Sequence, residues 1–330
     1  MVASPVRTAC FILFSSPLVF CSAAFAFERE VEIVPRAKSK AAADAASGPR
    51  ADLRVDVPLV LIPVNVTTPL GASVTSLTKE NFRLFEDGVE QTIANFANED
   101  APVSIGLLLD TSGSMRNKMK KSLEAAGELF KTASFDDEFF LVEFNERPKL
   151  TAPFTRDAND LYKRLVRARP VGRTSLLDAL HLAMAQMKNA RNMRKAIVLL
   201  SDGGDNHSRH TETEIKKAVH EADVQIYALG IFDSEDSPKR TIEERNGPHL
   251  LDDLATETGG KHLPVGKLND LPGICARIGA ELHNQYLLGY YPANFARDGK
   301  YRKILVTPVA PPNMPPLKAH SRPGYIAPAE

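Results

Sequence analysis

Two runs of apolar residues, Ile105-Gly106-Leu107-Leu108-Leu109 and Ala196-Ile197-Val198-Leu199-Leu200, each lead directly into a polar stretch that carries an aspartate. Apolar runs of this length, bounded by breakers, read as strands covered on both faces, the habit of a parallel sheet. The first ends in Asp110-Thr111-Ser112-Gly113-Ser114 and is followed by a helical pattern with Met119, Leu123, Ala126 and Phe130 on one side. The second ends in Ser201-Asp202-Gly203-Gly204-Asp205. Strand patterns recur at Glu138 to Phe144, Lys149 to Phe154, Val224 to Leu229 and His262 to Val265. Helical patterns lie between and after them, from Ala158, from Leu176 to Met187, around Ile215, Val219 and Ala222, around Leu250, Leu251 and Leu254, and from Leu271 to Leu282. Thr211 to Glu214 has the spacing of a capping box, and Gly259-Gly260 is a helix stop. The pattern predicts a doubly wound, mostly parallel α/β sheet. In such a sheet ligands sit at the carboxyl ends of the strands, where Asp110 and Asp202 both fall.

Asp110, Ser112 and Ser114 stand at alternate positions, so three oxygen-bearing side chains can face one centre. A carboxylate and hydroxyls are hard donors, suited to Mg²⁺, Mn²⁺ or Ca²⁺. Thr174, in Gly172-Arg173-Thr174-Ser175, precedes a helix and can share the rim with Asp202. Taken alone, the first stretch also reads as a helix cap, and both readings stand at this point. Three other motifs are excluded. An EF-hand loop counted from Asp110 needs Gly where Met115 stands and Glu where Lys121 stands. Neither Ser112 nor Ser114 has the flanking glycines of a serine-hydrolase elbow, and no Gly-Lys-Ser/Thr ending marks a phosphate loop.

With 41 basic and 41 acidic residues the formal charge is zero, so composition indicates no nucleic-acid surface. Residues 1–26 read as a signal peptide: a charge at Arg7, a mostly apolar stretch from Phe11 to Phe20, and a small-x-small site at Ala24-Phe25-Ala26. Export to the periplasm or beyond follows; the alternatives are an uncleaved leader or a lipid on Cys21. Of three cysteines only Cys275 outlasts cleavage, so no disulfide forms within the mature chain; Cys275 falls on the apolar side of a helix and reads as buried and inert. Residues 27–52 form a linker.

Both flanks of the α/β region look β-rich. Val60, Ile62, Val64 and Val66 alternate, and Asp87-Gly88 separates two strand-like runs, Phe82 to Glu86 and Val89 to Phe96, a hairpin signal. Gln285 to Tyr291 and Tyr301 to Val306 are strand-like again and are natural partners for that hairpin. The division expected is therefore a small β-sandwich-like domain built from 53–100 and 287–310, an α/β domain at 101–286 inserted in it, and a proline-rich extended tail at 311–330.

From about Pro102 to Gln285 the chain resembles the von Willebrand factor type A domain. Asp110-Thr111-Ser112-Gly113-Ser114 matches its Asp-x-Ser-x-Ser motif, Thr174 the threonine of its second loop, and Asp202 the aspartate of its third. The resemblance implies a Rossmann-like fold and a metal-ion-dependent adhesion site made by Asp110, Ser112, Ser114, Thr174 and Asp202. It implies Mg²⁺ (or Mn²⁺ or Ca²⁺) held directly or through water, with the last position taken by an Asp or Glu of a protein partner. The flanks resemble a bacterial group of exported proteins in which Thr78-Lys79-Glu80-Asn81-Phe82, Phe85-Glu86-Asp87-Gly88 and Tyr286-Leu287-Leu288-Gly289-Tyr290 recur around this domain. The expected function is an exported, metal-dependent protein-binding module and not an enzyme. The alternatives are a metal-assisted hydrolase at the same rim, and a scaffold whose site is vestigial. His207 and His210 read as a solvated loop, Lys118, Lys120 and Lys121 as a solvated helix face, and His262 and His283 as structural; Asp205 either supports the rim or is ordinary loop polarity.

Overall fold

Strands alternate with helices through the middle of the chain and follow one another at both ends. The computed structural model describes residues 59–98, 100–221, 223–232 and 241–329; the expected signal peptide and linker lie outside them. In chain order the first flank supplies β1 (Val60–Thr67), β2 (Phe82–Glu86), β3 (Val89–Gln91) and β4 (Ile93–Ala97). The middle runs β5 (Val103–Asp110), α1 (Met119–Lys131), β6 (Glu138–Phe144), β7 (Pro148–Thr155), α2 (Ala158–Leu165), α3 (Leu176–Met187) and β8 (Arg194–Ser201). It continues with α4 (Glu212–Glu221), β9 (Gln225–Gly230), α5 (Ile242–Glu257), β10 (Lys261–Pro264) and α6 (Leu271–His283). The second flank adds β11 (Tyr286–Tyr290), β12 (Tyr301–Pro308), β13 (Lys318–His320) and β14 (Gly324–Ile326).

The middle forms a six-stranded sheet in the order β10-β9-β8-β5-β6-β7. Every neighbouring pair is parallel except β6 with β7. Successive residues of β5 serve opposite faces. Leu107 and Leu109 join a cluster with Phe130 of α1, Leu161 of α2 and Ile278 of α6, whereas Leu108 packs in a second cluster with Leu180 of α3, Ile215 of α4 and Leu254 of α5. Burial on both faces is why these strands read as unbroken apolar runs, and it fixes an α/β fold with helices on both sides. Cys275 lies fully buried in the first cluster, as expected, and burial pushes its thiol up to about 12, which disfavours the thiolate.

The flanks make two four-stranded sheets, β13-β1-β11-β4 and β14-β12-β2-β3. Both contribute to one apolar cluster that contains Ile62, Val64, Leu84, Tyr286, Leu288 and Ile304. The Asp87-Gly88 turn takes positive φ at both residues, 49° and 83°, and joins β2 to β3 as a hairpin. The stretch from Val89 to Phe96, read as one strand, is two. β3 pairs with β2 and β4 with β11, so the chain changes sheet at Thr92, between the buried Gln91 and Ile93. The proline-rich end is no free tail: β13 pairs with β1 and β14 with β12. Its prolines flank these short strands and leave the ladder N–H groups intact. Among the described residues no helix is long and apolar enough to cross a membrane.

Candidate metal centre

Asp110 is the last residue of β5 and is fully buried. Its Oδ1 accepts the Ser112 backbone N–H at 2.8 Å, and its Oδ2 accepts the Ser201 hydroxyl at 2.6 Å. Ser201 ends β8, the neighbouring strand, and its Oγ also accepts the Gly203 N–H at 3.0 Å. One carboxylate thus ties the first loop to the third. Thr111 turns the other way: its N–H and its hydroxyl both donate to the Phe144 carbonyl, at 2.7 and 3.0 Å. With Thr111 turned back toward β6, Ser112 and Ser114 come together, their hydroxyl oxygens 3.0 Å apart.

The second loop is stitched to both others. Val171 donates to the Thr111 carbonyl at 2.8 Å and Gly113 to the Gly172 carbonyl at 3.0 Å. Thr174 is 4 % exposed; its N–H donates to Asn206 Oδ1 at 3.0 Å, and its carbonyl accepts the N–H groups of Asn206 and His207 at 3.1 and 3.0 Å. Asp202 is equally buried, with the Lys118 ammonium 3.4 Å from its Oδ2. The three loops that carry Asp110, Ser112, Ser114, Thr174 and Asp202 therefore lie side by side at the carboxyl rim of the sheet, held by backbone and side-chain bonds.

The electrostatics of the rim are those of crowded carboxylates. Burial, then the nearby Asp202, pushes the Asp110 carboxyl up to about 7, against the hydrogen bonds from Ser112 and Ser201. Two acids that repel each other beside three neutral hydroxyls suit a hard divalent cation. The donor set fits Mg²⁺ in type, two carboxylates and three hydroxyls. Among the described residues no group of three or more His, Cys, Asp or Glu is placed so that it could hold a metal ion.

Several side chains differ from their sequence reading. Lys118 is not on a solvated face with Lys120 and Lys121; it is 4 % exposed and paired with Asp202. The signal was its spacing: Lys118 precedes Ser122, Ala125 and Ala126 by four, seven and eight residues, and all three are fully buried. His210 is not simply solvated either. Its Nδ1 lies 2.7 Å from Asp178 Oδ1, and its ring stacks on His181 with centroids 4.1 Å apart. Asp205 folds its own loop, its Oδ1 accepting the Ser208 N–H at 3.2 Å. Asn206, passed over in the sequence, is what fixes Thr174. His262 has a largely buried side chain in β10, 3.7 Å from Asp252, and His283 sits between Asp100 and Asp137 at 3.0 and 3.1 Å.

Helix α5 also reaches the rim. Its apolar pattern begins at Leu250, yet the helix starts at Ile242 and includes Pro248. Gly247 packs against the third loop so tightly that a Cβ there would lie 2.7 Å from the Asp202 carbonyl oxygen; a Cβ on Gly203, whose φ is +76°, would lie 2.8 Å from Gly247 Cα. Two glycines in contact let the helix abut the loop that carries Asp202.

The chain is similar to inter-alpha-trypsin inhibitor heavy chain H2 of Mus musculus, 29% identical over 164 residues that cover 44% of this chain and 17% of that protein. It is similar also to a protein of Borreliella burgdorferi described as uncharacterized, 25% identical over 180 residues, or 48% of this chain and 53% of that one. It thus spans less than two thirds of the length of either relative. A solved structure described as von Willebrand factor type A from Catenulispora acidiphila covers 82% of this chain and 72% of its own, at 13% identity and a TM-score of 0.48. Residues 105–204 match the family model described as von Willebrand factor type A domain. The match to the von Willebrand factor type A domain at 105–204 thus falls within a mostly parallel α/β sheet whose rim bears Asp110, Ser112, Ser114, Thr174 and Asp202.

Proposed function

We propose that the chain is an exported protein-binding module whose adhesion depends on a divalent cation, Mg²⁺ or Mn²⁺ or Ca²⁺, at this rim. The observation that carries the reading is the joining of three separate loops around two buried carboxylates and a pair of serine hydroxyls 3.0 Å apart. Ser112, Ser114 and Thr174 would hold the cation through hydroxyl oxygens, and Asp110 and Asp202 would supply negative charge directly or through water. When bound, the cation supplies a positive centre that an oxygen of a partner can join. The partner is then a protein presenting Asp or Glu. The protein residues orient that centre: Ser201 and the Ser112 N–H hold the Asp110 carboxylate, and Asn206 holds Thr174. Export rests on the leader pattern at 1–26.

Calorimetric titration with MgCl₂ and MnCl₂ tests the site. The parent takes up one ion per chain, and Asp110→Ala and Ser114→Ala lose at least ten-fold in affinity. Ser114 is only partly buried, so its variant guards against a folding defect in the first. Variants that bind as tightly as the parent would sink the assignment. Capture of envelope proteins from the same organism, with and without EDTA, then tests whether adhesion depends on the ion.

A further inference from the structure

Lys118 stands at the start of α1, immediately before Met119, and its side chain is 5 % exposed. A buried ammonium persists only where negative charge compensates it. Here its Nζ lies 3.4 Å from Asp202 Oδ2, on the carboxylate of the third loop. The pair is local in space but joins residues 84 positions apart, so it ties the first-loop side of the rim to the third. The other oxygen, Asp202 Oδ1, accepts the Gly204 N–H at 3.4 Å. The backbone around Lys118 is fixed as well: its N–H donates to the Met115 carbonyl at 2.9 Å, and its carbonyl accepts the Ser122 N–H at 3.0 Å and the Ser122 hydroxyl at 3.2 Å. The ammonium is therefore delivered to Asp202 from an anchored backbone.

We propose that Lys118 is a tethered counter-cation of the rim: it holds Asp202 in place in the absence of a divalent ion, and it sets how tightly that ion is held by competing with it for the same carboxylate. The proposal rests on the metal reading above and deepens it. A monovalent charge on a side chain and a divalent ion from solution draw on one buried acid, and two cations sharing a small buried rim repel each other. Metal uptake must then work against the ammonium. In return, the three loops keep their arrangement without metal, because Asp202 is not left as an uncompensated buried charge. With the ion present, two carboxylates, a divalent cation and the ammonium sum to one positive charge, which one carboxylate of a partner would neutralise.

The test uses Lys118→Met, which keeps the length and apolar stem of the side chain and removes its charge, with Lys118→Arg as the charge-preserving control. MgCl₂ affinity is measured by calorimetry, and thermal unfolding is followed with EDTA and with saturating MgCl₂. The expected result is that Lys118→Met binds Mg²⁺ at least ten-fold more tightly than the parent, melts lower in EDTA, and gains more from Mg²⁺; Lys118→Arg stays close to the parent in all three. Equal Mg²⁺ affinity in the parent and Lys118→Met overturns the role given to Lys118 and leaves the metal site standing. Weaker Mg²⁺ binding by Lys118→Met, with an unchanged melt in EDTA, overturns it in the opposite sense, making the lysine an aid to the ion. Absence of Mg²⁺ binding in every protein, including the parent, overturns the metal reading and this proposal together.

Discussion

The Ser201 hydroxyl donates to the Asp110 carboxylate at 2.6 Å across the ends of two adjacent strands, and the same oxygen accepts the Gly203 N–H. This one side chain sets the position of both acids of the rim, because Gly203 follows Asp202. Ser201→Ala leaves a fully buried carboxylate oxygen and a backbone N–H without that partner. Losing a buried hydrogen bond to a charged group lowers stability by about 1–3 kcal/mol. Urea unfolding should show a lower midpoint at unchanged slope, and Mg²⁺ affinity should fall with it. A variant with the parent's midpoint would mean that the bond does not support the fold.

Gly247 makes a second, purely steric prediction. Its Cβ would meet the Asp202 carbonyl oxygen at 2.7 Å and the Gly203 carbonyl carbon at 2.8 Å, both backbone atoms, so Gly247→Ala must push the third loop or α5 aside. The expected loss is about 1–3 kcal/mol, as for an overpacked core, with reduced Mg²⁺ affinity because Asp202 moves. Gly273, within α6, has nothing within 4 Å of where a Cβ would stand, and Gly273→Ala should raise stability by about 0.4–1 kcal/mol through the unfolded chain. Chemical unfolding of the two variants side by side checks the contrast in sign.

The rim was legible because its chemistry and its fold signals coincide. Asp110 and Asp202 directly follow unbroken apolar strands, and the alternation of Asp110, Ser112 and Ser114 survives in space because Thr111 turns back to Phe144. Other features were hidden for identifiable reasons. Lys118 looked solvated beside Lys120 and Lys121, although its helical spacing to Ser122 put it on the buried face. The first turns of α5 were masked by Gly247 and Pro248, a helix-breaking pair, although Gly247 stands where the third loop leaves no room for a Cβ. The break between β3 and β4 carries no turn residue, since the strand only changes partners. The strands at 318–320 and 324–326 are too short to show alternation, and their order comes from the strands they pair with.

The pH dependence of stability should carry the mark of His320. It lies on β13 against Thr67, with Oγ1 to Nε2 at 3.2 Å. Burial, then Lys261 and Lys318, pushes its imidazole down from 6.5 to about 4. Between those values the unfolded chain takes the proton and the folded chain does not. This contribution to stability is thus intact above pH 6.5 and is lost progressively as pH falls toward 4. His320→Gln should unfold at a urea midpoint that varies less than the parent's across this window. Parallel curves for the two proteins would count against the assignment.

The joint between the flanks can be tested at Tyr286, the first residue of β11 and fully buried. Its ring packs on Phe82 and Phe96, with centroids 5.0 and 5.9 Å away. Its hydroxyl accepts the Leu77 N–H at 3.0 Å and donates to the Val74 carbonyl at 2.9 Å. A residue from the second flank therefore pins a loop of the first that has few ladder bonds of its own. Tyr286→Phe keeps the ring contacts and leaves those two backbone groups without the hydroxyl, a loss of about 1–3 kcal/mol. Tyr286→Ala also removes the ring, and a buried aromatic cut to alanine costs about 3–5 kcal/mol. Hydrogen exchange at Leu77 should quicken in Tyr286→Phe, while the amides of β5 and β8 change little. Equal quickening in β5 and β8 would mean that the hydroxyl supports the whole chain and not this joint alone.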